Sequence, residues 1–215
     1  MKRTAAVVSI YGVVCCAAML TGAYSFEENY RGFMRVGATS AVLPVALMLM
    51  CLGRTRYTTL ELVRHDPRGE LRANGIWLAF VSVMCAVLAA AIFAVMEFVV
   101  GGQSASPGHW SLVAMLFVQC LMMAVSVCLL QLLLANCGLP WEYVTPVLAA
   151  LFIIAQWMLT VLPGDAVRFA YYFWYPIGLI WPVVVVNQCI PFLGYCVLMC
   201  LINVGVFAKR DRLGR

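Results

Sequence analysis

Few residues in this 215-residue chain are of types that do chemistry, and their spacing closes most reactions to it. Catalysis needs a nucleophile with a base, a carboxylate pair or a metal set. Only two histidines occur, His65 and His109, and they lie far apart, so no His-Glu-x-x-His zinc site is present. Asp66, Asp165 and Asp211 all fall outside the apolar runs, which removes a paired membrane aspartate site. No Gly-x-x-x-x-Gly-Lys loop occurs, so the chain does not bind ATP by that device. Of ten cysteines, Cys15, Cys16, Cys51, Cys85, Cys120, Cys128, Cys189, Cys196 and Cys200 sit inside or at the edge of apolar runs with no Cys-x-x-Cys pair. They read as small hydrophobes. The expectation is a chain that is not an enzyme and holds no catalytic, metal or cofactor-binding residue.

What remains is polar chemistry set in apolar sequence. Glu97 lies about one turn from the end of an apolar run; it is either a functional acid or a carboxylate reaching the headgroups. Gln119, Gln131, Gln156, Asn187, Gln188 and Asn203 either line a polar path or make interhelical hydrogen bonds worth about 1 kcal/mol each.

The elements that carry these groups follow from composition. Hydrophobic residues make up 65% of the chain and charged ones 11%, against roughly 25% charged in a soluble domain. From Phe169 to Ala208 there is no charge at all. Six apolar runs stand out, at about 5–24, 36–53, 76–100, 110–135, 144–162 and 187–208. Each is near the ~20 residues that cross a bilayer core as a helix. The expected fold is an all-α polytopic membrane protein of one domain, 1–215. The first run also resembles a signal peptide ending near Thr21-Gly22-Ala23, but the short loop to the next run favours an uncleaved helix. With both termini in the cytoplasm, all but Arg31, Arg35 and Arg168 of the 14 basic residues fall on the inner side. The positive-inside rule therefore predicts a multi-pass protein of the plasma (cytoplasmic) membrane with both termini inside. The basic residues form no stripe with interleaved aromatics, so nucleic acid is not an expected partner.

The loop from Arg54 to Asn74 is the most informative segment. Thr58 to His65 has no helix breaker; Leu60 and Val63 share one face, and Glu61 and Arg64 another, which predicts a short amphipathic helix. Asp66 and Pro67 then read as the N-cap and first position of the next helix. A merely solvated basic loop is the alternative. Further on, 163–186 is too long for a simple turn. It carries Phe169, Tyr171, Tyr172, Phe173, Trp174, Tyr175 and Trp181 with Pro163, Pro176 and Pro182 as breaks, which suits headgroup depth.

The stretch Tyr57-Thr58-Thr59-Leu60-Glu61-Leu62-Val63-Arg64-His65-Asp66-Pro67-Arg68-Gly69-Glu70-Leu71 resembles ATP-binding-cassette permeases of the type-2, exporter-like family. There a Gly/Thr-Leu-Glu-x-Leu pattern precedes a proline and a basic residue before the third span. The closing helix with Asn203-Val-Gly-Val-Phe-Ala-Lys-Arg-Asp-Arg212 is similar to that family too, as is the length with six spans. The resemblance implies a cytoplasmic coupling helix between spans two and three and an outer re-entrant hairpin between spans five and six. It implies a permease subunit of an exporter, moving an amphipathic peptide, lipid or drug-like substrate. Its partners would be a cytoplasmic ATPase that holds ATP and Mg, a second permease chain (identical or related) and the lipid bilayer. Thr58, Leu60, Glu61, Val63, Arg64, Asp66 and Arg68 would couple to the ATPase. Glu97, Gln156, Phe173, Trp174, Trp181, Asn187 and Gln188 would lie along the substrate path. The competing readings are the substrate-binding membrane subunit of an energy-coupled vitamin importer, and an intramembrane enzyme.

Overall fold

The computed structural model describes residues 25–55, 67–161 and 179–209, and these form helices with no strand among them. Helix α1 spans Phe26–Gly53. Helix α2 runs through Pro67–Ala94 and continues over Val95–Val100. Helix α3 is Pro107–Asn136, α4 is Trp141–Val161 and α5 is Trp181–Lys209. Four of them, α1, α2, α3 and α5, have apolar lengths of 28 to 32 residues and are long enough to cross a membrane. The 21-residue α4 is apolar along Trp141–Ala155. The expected runs at 36–53, 76–100, 110–135, 144–162 and 187–208 each correspond to one of these helices. The run at 5–24 and the amphipathic helix at Thr58 to His65 lie outside the described residues, as does the aromatic stretch up to residue 178.

Local chemistry explains the boundaries and moves two of them. Val36 was the expected start of its helix, yet α1 begins at Phe26, because Ser25 and Glu28 cap each other's backbone. The Glu28 N–H donates to Ser25 Oγ at 3.4 Å and the Ser25 N–H donates to Glu28 Oε2 at 3.2 Å. The aromatic stretch was expected to reach residue 186, whereas α5 already begins at Trp181, with Pro182 in the first turn where its missing N–H costs nothing. Ser106 caps α3 ahead of Pro107, accepting from the His109 N–H at 3.3 Å. The other end of α3 closes on Gly138, whose φ of 102° lies in the left-handed region. The Gly138 and Leu139 N–H groups then reach back to the carbonyls of Ala135 and Leu134, at 3.0 and 3.2 Å.

Three stretches are wound as π-helix: Phe33–Val42 in α1, Val95–Val100 in α2 and Val185–Cys189 in α5. Two of them run directly into a proline within the helix, Pro44 and Pro191. A proline ring clashes with the carbonyl four residues earlier and supplies no N–H. Looser winding just before it moves that carbonyl away, one of the local adjustments that let membrane helices carry proline.

Helix α3 is the hub, packing on α1, α2, α4 and α5. Within its most apolar 18-residue stretch 72% is buried, against 17% for α5, so α5 leans on the bundle by one narrow face. That face carries Val184, Gln188, Met199, Asn203 and Phe207. Side-chain pairs fix the directions. Trp181 meets Ser111, Gln188 meets Gln119, Tyr195 meets Ser126 and Asn203 meets Asn136, so α5 runs parallel to α3. Tyr30 with Gln119 and Leu47 with Gln131 make α1 parallel to α3 as well. Asn29 with Glu97 and Leu49 with Trp77 make α2 antiparallel to α1. The start of α4 lies beside the finish of α1 and α3, through Glu142 with Arg54 and Thr145 with Gln131. One end of the bundle is thus marked by Phe26 and Trp181, the other by Arg54 and Asn74.

Candidate functional site

Polar groups gather at the Phe26 end, where the π-wound stretches Val95–Val100 and Val185–Cys189 lie. Tyr30, Gln119 and Gln188 are fully buried and connect three helices in series. The Tyr30 hydroxyl donates to Gln119 Oε1 at 2.5 Å, and Gln119 Nε2 donates to Gln188 Oε1 at 2.9 Å. Beside them Glu97 is 3% exposed, and its Oε1 accepts from Asn29 Nδ2 at 2.9 Å. In a straight α-helix a residue so near the end of α2 faces outward as easily as inward. The π turn Val95–Val100 sets Glu97 on the packed side, and it is the buried residue of that turn. The Gly101 N–H closes the turn on the Met96 carbonyl at 2.8 Å.

Aromatic rings cluster at the same end. Phe26 lies edge-on to Phe93, with centroids 5.3 Å apart, and stacks on Phe98 at 5.6 Å. The His109 imidazole lies flat on Phe26 at 4.2 Å with 3° between the planes, and its Nδ1 contacts the Ser104 carbonyl at 2.6 Å. Trp110, 52% exposed, packs on Phe98 at 4.8 Å.

From this end onward the polar contacts continue as rungs between helices. Trp181 Nε1 donates to Ser111 Oγ at 2.8 Å, and the Tyr195 hydroxyl to the Ser126 carbonyl at 3.1 Å. Asn136 Nδ2 donates to Asn203 Oδ1 at 2.9 Å. Gln131 Nε2 serves both the Leu47 carbonyl at 3.1 Å and Thr145 Oγ1 at 2.7 Å. Its Oε1, like Ser82 Oγ, is buried with no hydrogen-bond partner among the described residues.

The Arg54 end is held differently. Asn74, 4% exposed, accepts from the Thr55 N–H at 2.8 Å and donates to the Thr55 carbonyl at 3.0 Å, so one amide side chain grips the backbone just after α1. Arg54 pairs with Glu142, and its guanidinium stands 6.0 Å from the Trp141 ring centroid. Trp77 Nε1 donates to the Leu49 carbonyl at 3.1 Å, and its ring fills the space over Gly53. These contacts bind α1, α2 and α4 together at the point where the chain leaves for residues 56–66.

Of the residues singled out from sequence, the structure brings Glu97, Gln188 and Trp181 into the packed Phe26 end. Asn187 is exposed. Gln156 lies on α4 and Arg68 on α2, their side chains outside the description; Thr58, Leu60, Glu61, Val63, Arg64, Asp66, Phe173 and Trp174 lie outside the described residues altogether. Glu97, weighed as a functional acid or as a carboxylate reaching the headgroups, is buried against Asn29. The buried amides were weighed as interhelical hydrogen bonds, and Gln119, Gln131, Gln188 and Asn203 make them. Sequence reasoning missed Asn29, Tyr30 and the ring cluster. Among the described residues no group of three or more His, Cys, Asp and Glu is placed to hold a metal ion.

No family model, no curated protein and no solved structure matches the chain.

Proposed function

We propose that this chain is the permease subunit of an ATP-binding-cassette exporter, working with a separate cytoplasmic ATPase and a second permease chain. The observation that carries the reading is the clamp at the Arg54 end. A segment that transmits force needs firm anchors, since a loose attachment absorbs the motion it should pass on. The described chain pauses after a backbone gripped by Asn74 and resumes at Pro67, on the helix that carries Asn74. The adjoining Arg54–Glu142 pair adds α4 to the same joint. A push on Thr58 to Arg68 is then delivered to α1, α2 and α4 together. Leu60 and Val63 form the docking face in this reading, with Glu61, Arg64 and Asp66 at its rim.

The helix directions support the topology. Because α3 and α5 are parallel and α4 returns between them, Val161 and Trp181 belong to the same end of the bundle. Residues 162–180 therefore join two points on one side, as an outer hairpin with Phe173 and Trp174 requires. With Arg54, Arg72 and Lys209 inside, the Phe26 end is the outer one and both termini are cytoplasmic. The substrate path then runs past Glu97 and Gln188 at the outer end, with Gln156 and Asn187 as its further polar groups. ATP and Mg belong to the partner ATPase.

The test is Leu60→Asp with Val63→Asp, which buries two unpartnered carboxylates in any apolar docking groove. Loss of ATPase co-purification with unchanged membrane insertion is the expected result. Undiminished co-purification and ATPase activity in the double variant sinks the proposal.

A further inference from the structure

We infer that an internal water molecule ties α2 to α3, held between Ser82 Oγ and Gln131 Oε1, and completes one polar layer across α1, α2, α3 and α4. Both side chains are fully buried, and these two oxygens have no hydrogen-bond partner among the described residues. Buried polar atoms are paired almost without exception, and internal water is the usual partner where protein supplies none.

The conformation of Ser82 is the first sign. Four hydroxyl side chains are buried on the described helices: Thr39, Ser82, Ser126 and Thr145. Thr39, Ser126 and Thr145 each donate to a carbonyl one turn back, of Arg35, Met122 and Trp141, at 3.2, 2.7 and 2.8 Å. That is the ordinary recourse of a hydroxyl inside a helix. Ser82 makes no such bond, so its oxygen is turned away from its own carbonyls.

The level of Ser82 in the bundle is fixed from two sides. Helices α2 and α3 run antiparallel, and Cys85 and Cys128 lie close enough to act on each other electrostatically. Ser82 stands one turn from Cys85 towards the Arg54 end, and Gln131 one turn from Cys128 towards the same end. On the other side, Trp77 and Gln131 donate to the α1 carbonyls of Leu49 and Leu47, and Ser82 follows Trp77 by about a turn and a half.

Gln131 already uses its Nε2 on the Leu47 carbonyl and Thr145 Oγ1. What the amide lacks is a donor at Oε1. A water molecule supplies one, and its second hydrogen or a lone pair meets Ser82 Oγ. An ion is the poorer occupant: Ser82, Gln131, Thr145 and the Leu47 carbonyl are all neutral, and a cation among them would leave water without a counter-charge. The layer then runs from Thr145 through Gln131 and the water to Ser82, with Leu47 beside it, so that α2 moves with α1, α3 and α4 whether or not the chain is an exporter.

Magnetisation transfer from water, followed by NMR on the full-length chain in lipid bilayers, reads the site directly. Transfer to the Gln131 side chain should exceed that to Ser126, whose hydroxyl is satisfied by its own helix. Ser82→Ala should at least halve the transfer to Gln131. It should also raise the unfolding equilibrium constant in mixed micelles about threefold, the size of one hydrogen bond in a membrane bundle. A hydroxyl without a partner gives the opposite sign, because deleting it removes a desolvated group. A Ser82→Ala chain as stable as the unaltered one, or more stable, therefore overturns the inference, as does transfer to Gln131 no stronger than to Ser126. Transfer to Gln131 that Ser82→Ala leaves unchanged overturns it too, since the water would then belong to Gln131 alone.

Discussion

Replacing Gln119 with leucine removes the middle member of the Tyr30–Gln119–Gln188 series while keeping the side-chain volume close to the original. Two buried hydrogen bonds are lost at once, and the Tyr30 hydroxyl keeps no partner at its 2.5 Å contact. In membrane bundles such bonds average about 0.6 kcal/mol and reach about 1.7, because the unfolded chain in lipid also finds partners. Two of them place the loss at roughly 1–3 kcal/mol. The cleaner quantity is the coupling between Tyr30→Phe and Gln119→Leu, since phenylalanine deletes the hydroxyl alone and the double variant leaves no donor stranded. The short, fully buried contact argues for a coupling in the upper part of that range, about 1–1.7 kcal/mol. Reversible unfolding in mixed micelles of a mild detergent and dodecyl sulfate, measured for all four proteins, gives the number. Strictly additive single variants would refute the argument, for then the two side chains would contribute independently and the bond would hold nothing together.

Gly53→Ala should destabilise the bundle by about 1–2 kcal/mol, since the overpacking cost exceeds the small gain in helix propensity at a helix end. The added methyl would lie 2.0 Å from Trp77 Cε2, and the indole is pinned by its bond to the Leu49 carbonyl; unfolding in the same mixed micelles checks this. A reporter active only in the cytoplasm should work when fused after Arg215 and fail when inserted near Ser104, and the opposite pattern contradicts the orientation. Single cysteines at Gly164 and Ile180, in a background free of native cysteines, should both react with a membrane-impermeant reagent from outside. Labelling at Ile180 only after the membrane is opened would show that 162–180 crosses.

Sequence made the apolar runs readable because each is a local property: length without charge, ended by Pro67, Pro107 or Gly138. The start of α1 was readable in principle, since Ser25-Phe26-Glu27-Glu28 is a capping-box pattern. The charges of Glu27, Glu28, Arg31 and Arg35 instead suggested a loop. Pro182 misled in the same way, since a proline marks a break or a first helical turn equally well. The cluster at the Phe26 end was legible only through Glu97, Gln119, Gln188 and Trp181. Asn29 and Tyr30 gave no signal because their partners lie 68 and 89 residues away, and pairing over such distances is a property of packing. The π winding of α2 that turns Glu97 inward is likewise invisible in composition.

The π stretch Phe33–Val42 has a consequence for how the chain tolerates change in length. One residue advances an α-helix by about 100° of rotation, and a π turn holds one residue more than an α turn. Phe33–Val42 can therefore take up a residue in α1 without changing the facing of Tyr30 and Asn29 against that of Leu47 and Leu49. Deleting one residue there and returning one turn to ordinary winding would leave the Arg54 half in register with α2 and α3. The Phe26 half would keep its facing too, with Tyr30 on Gln119 and Asn29 on Glu97, because the residue lost is the one the wide turn held in excess. A single codon lost at this place is thus absorbed by the winding, and lineages without it would keep both the joint at Arg54 and the pairs at the Phe26 end.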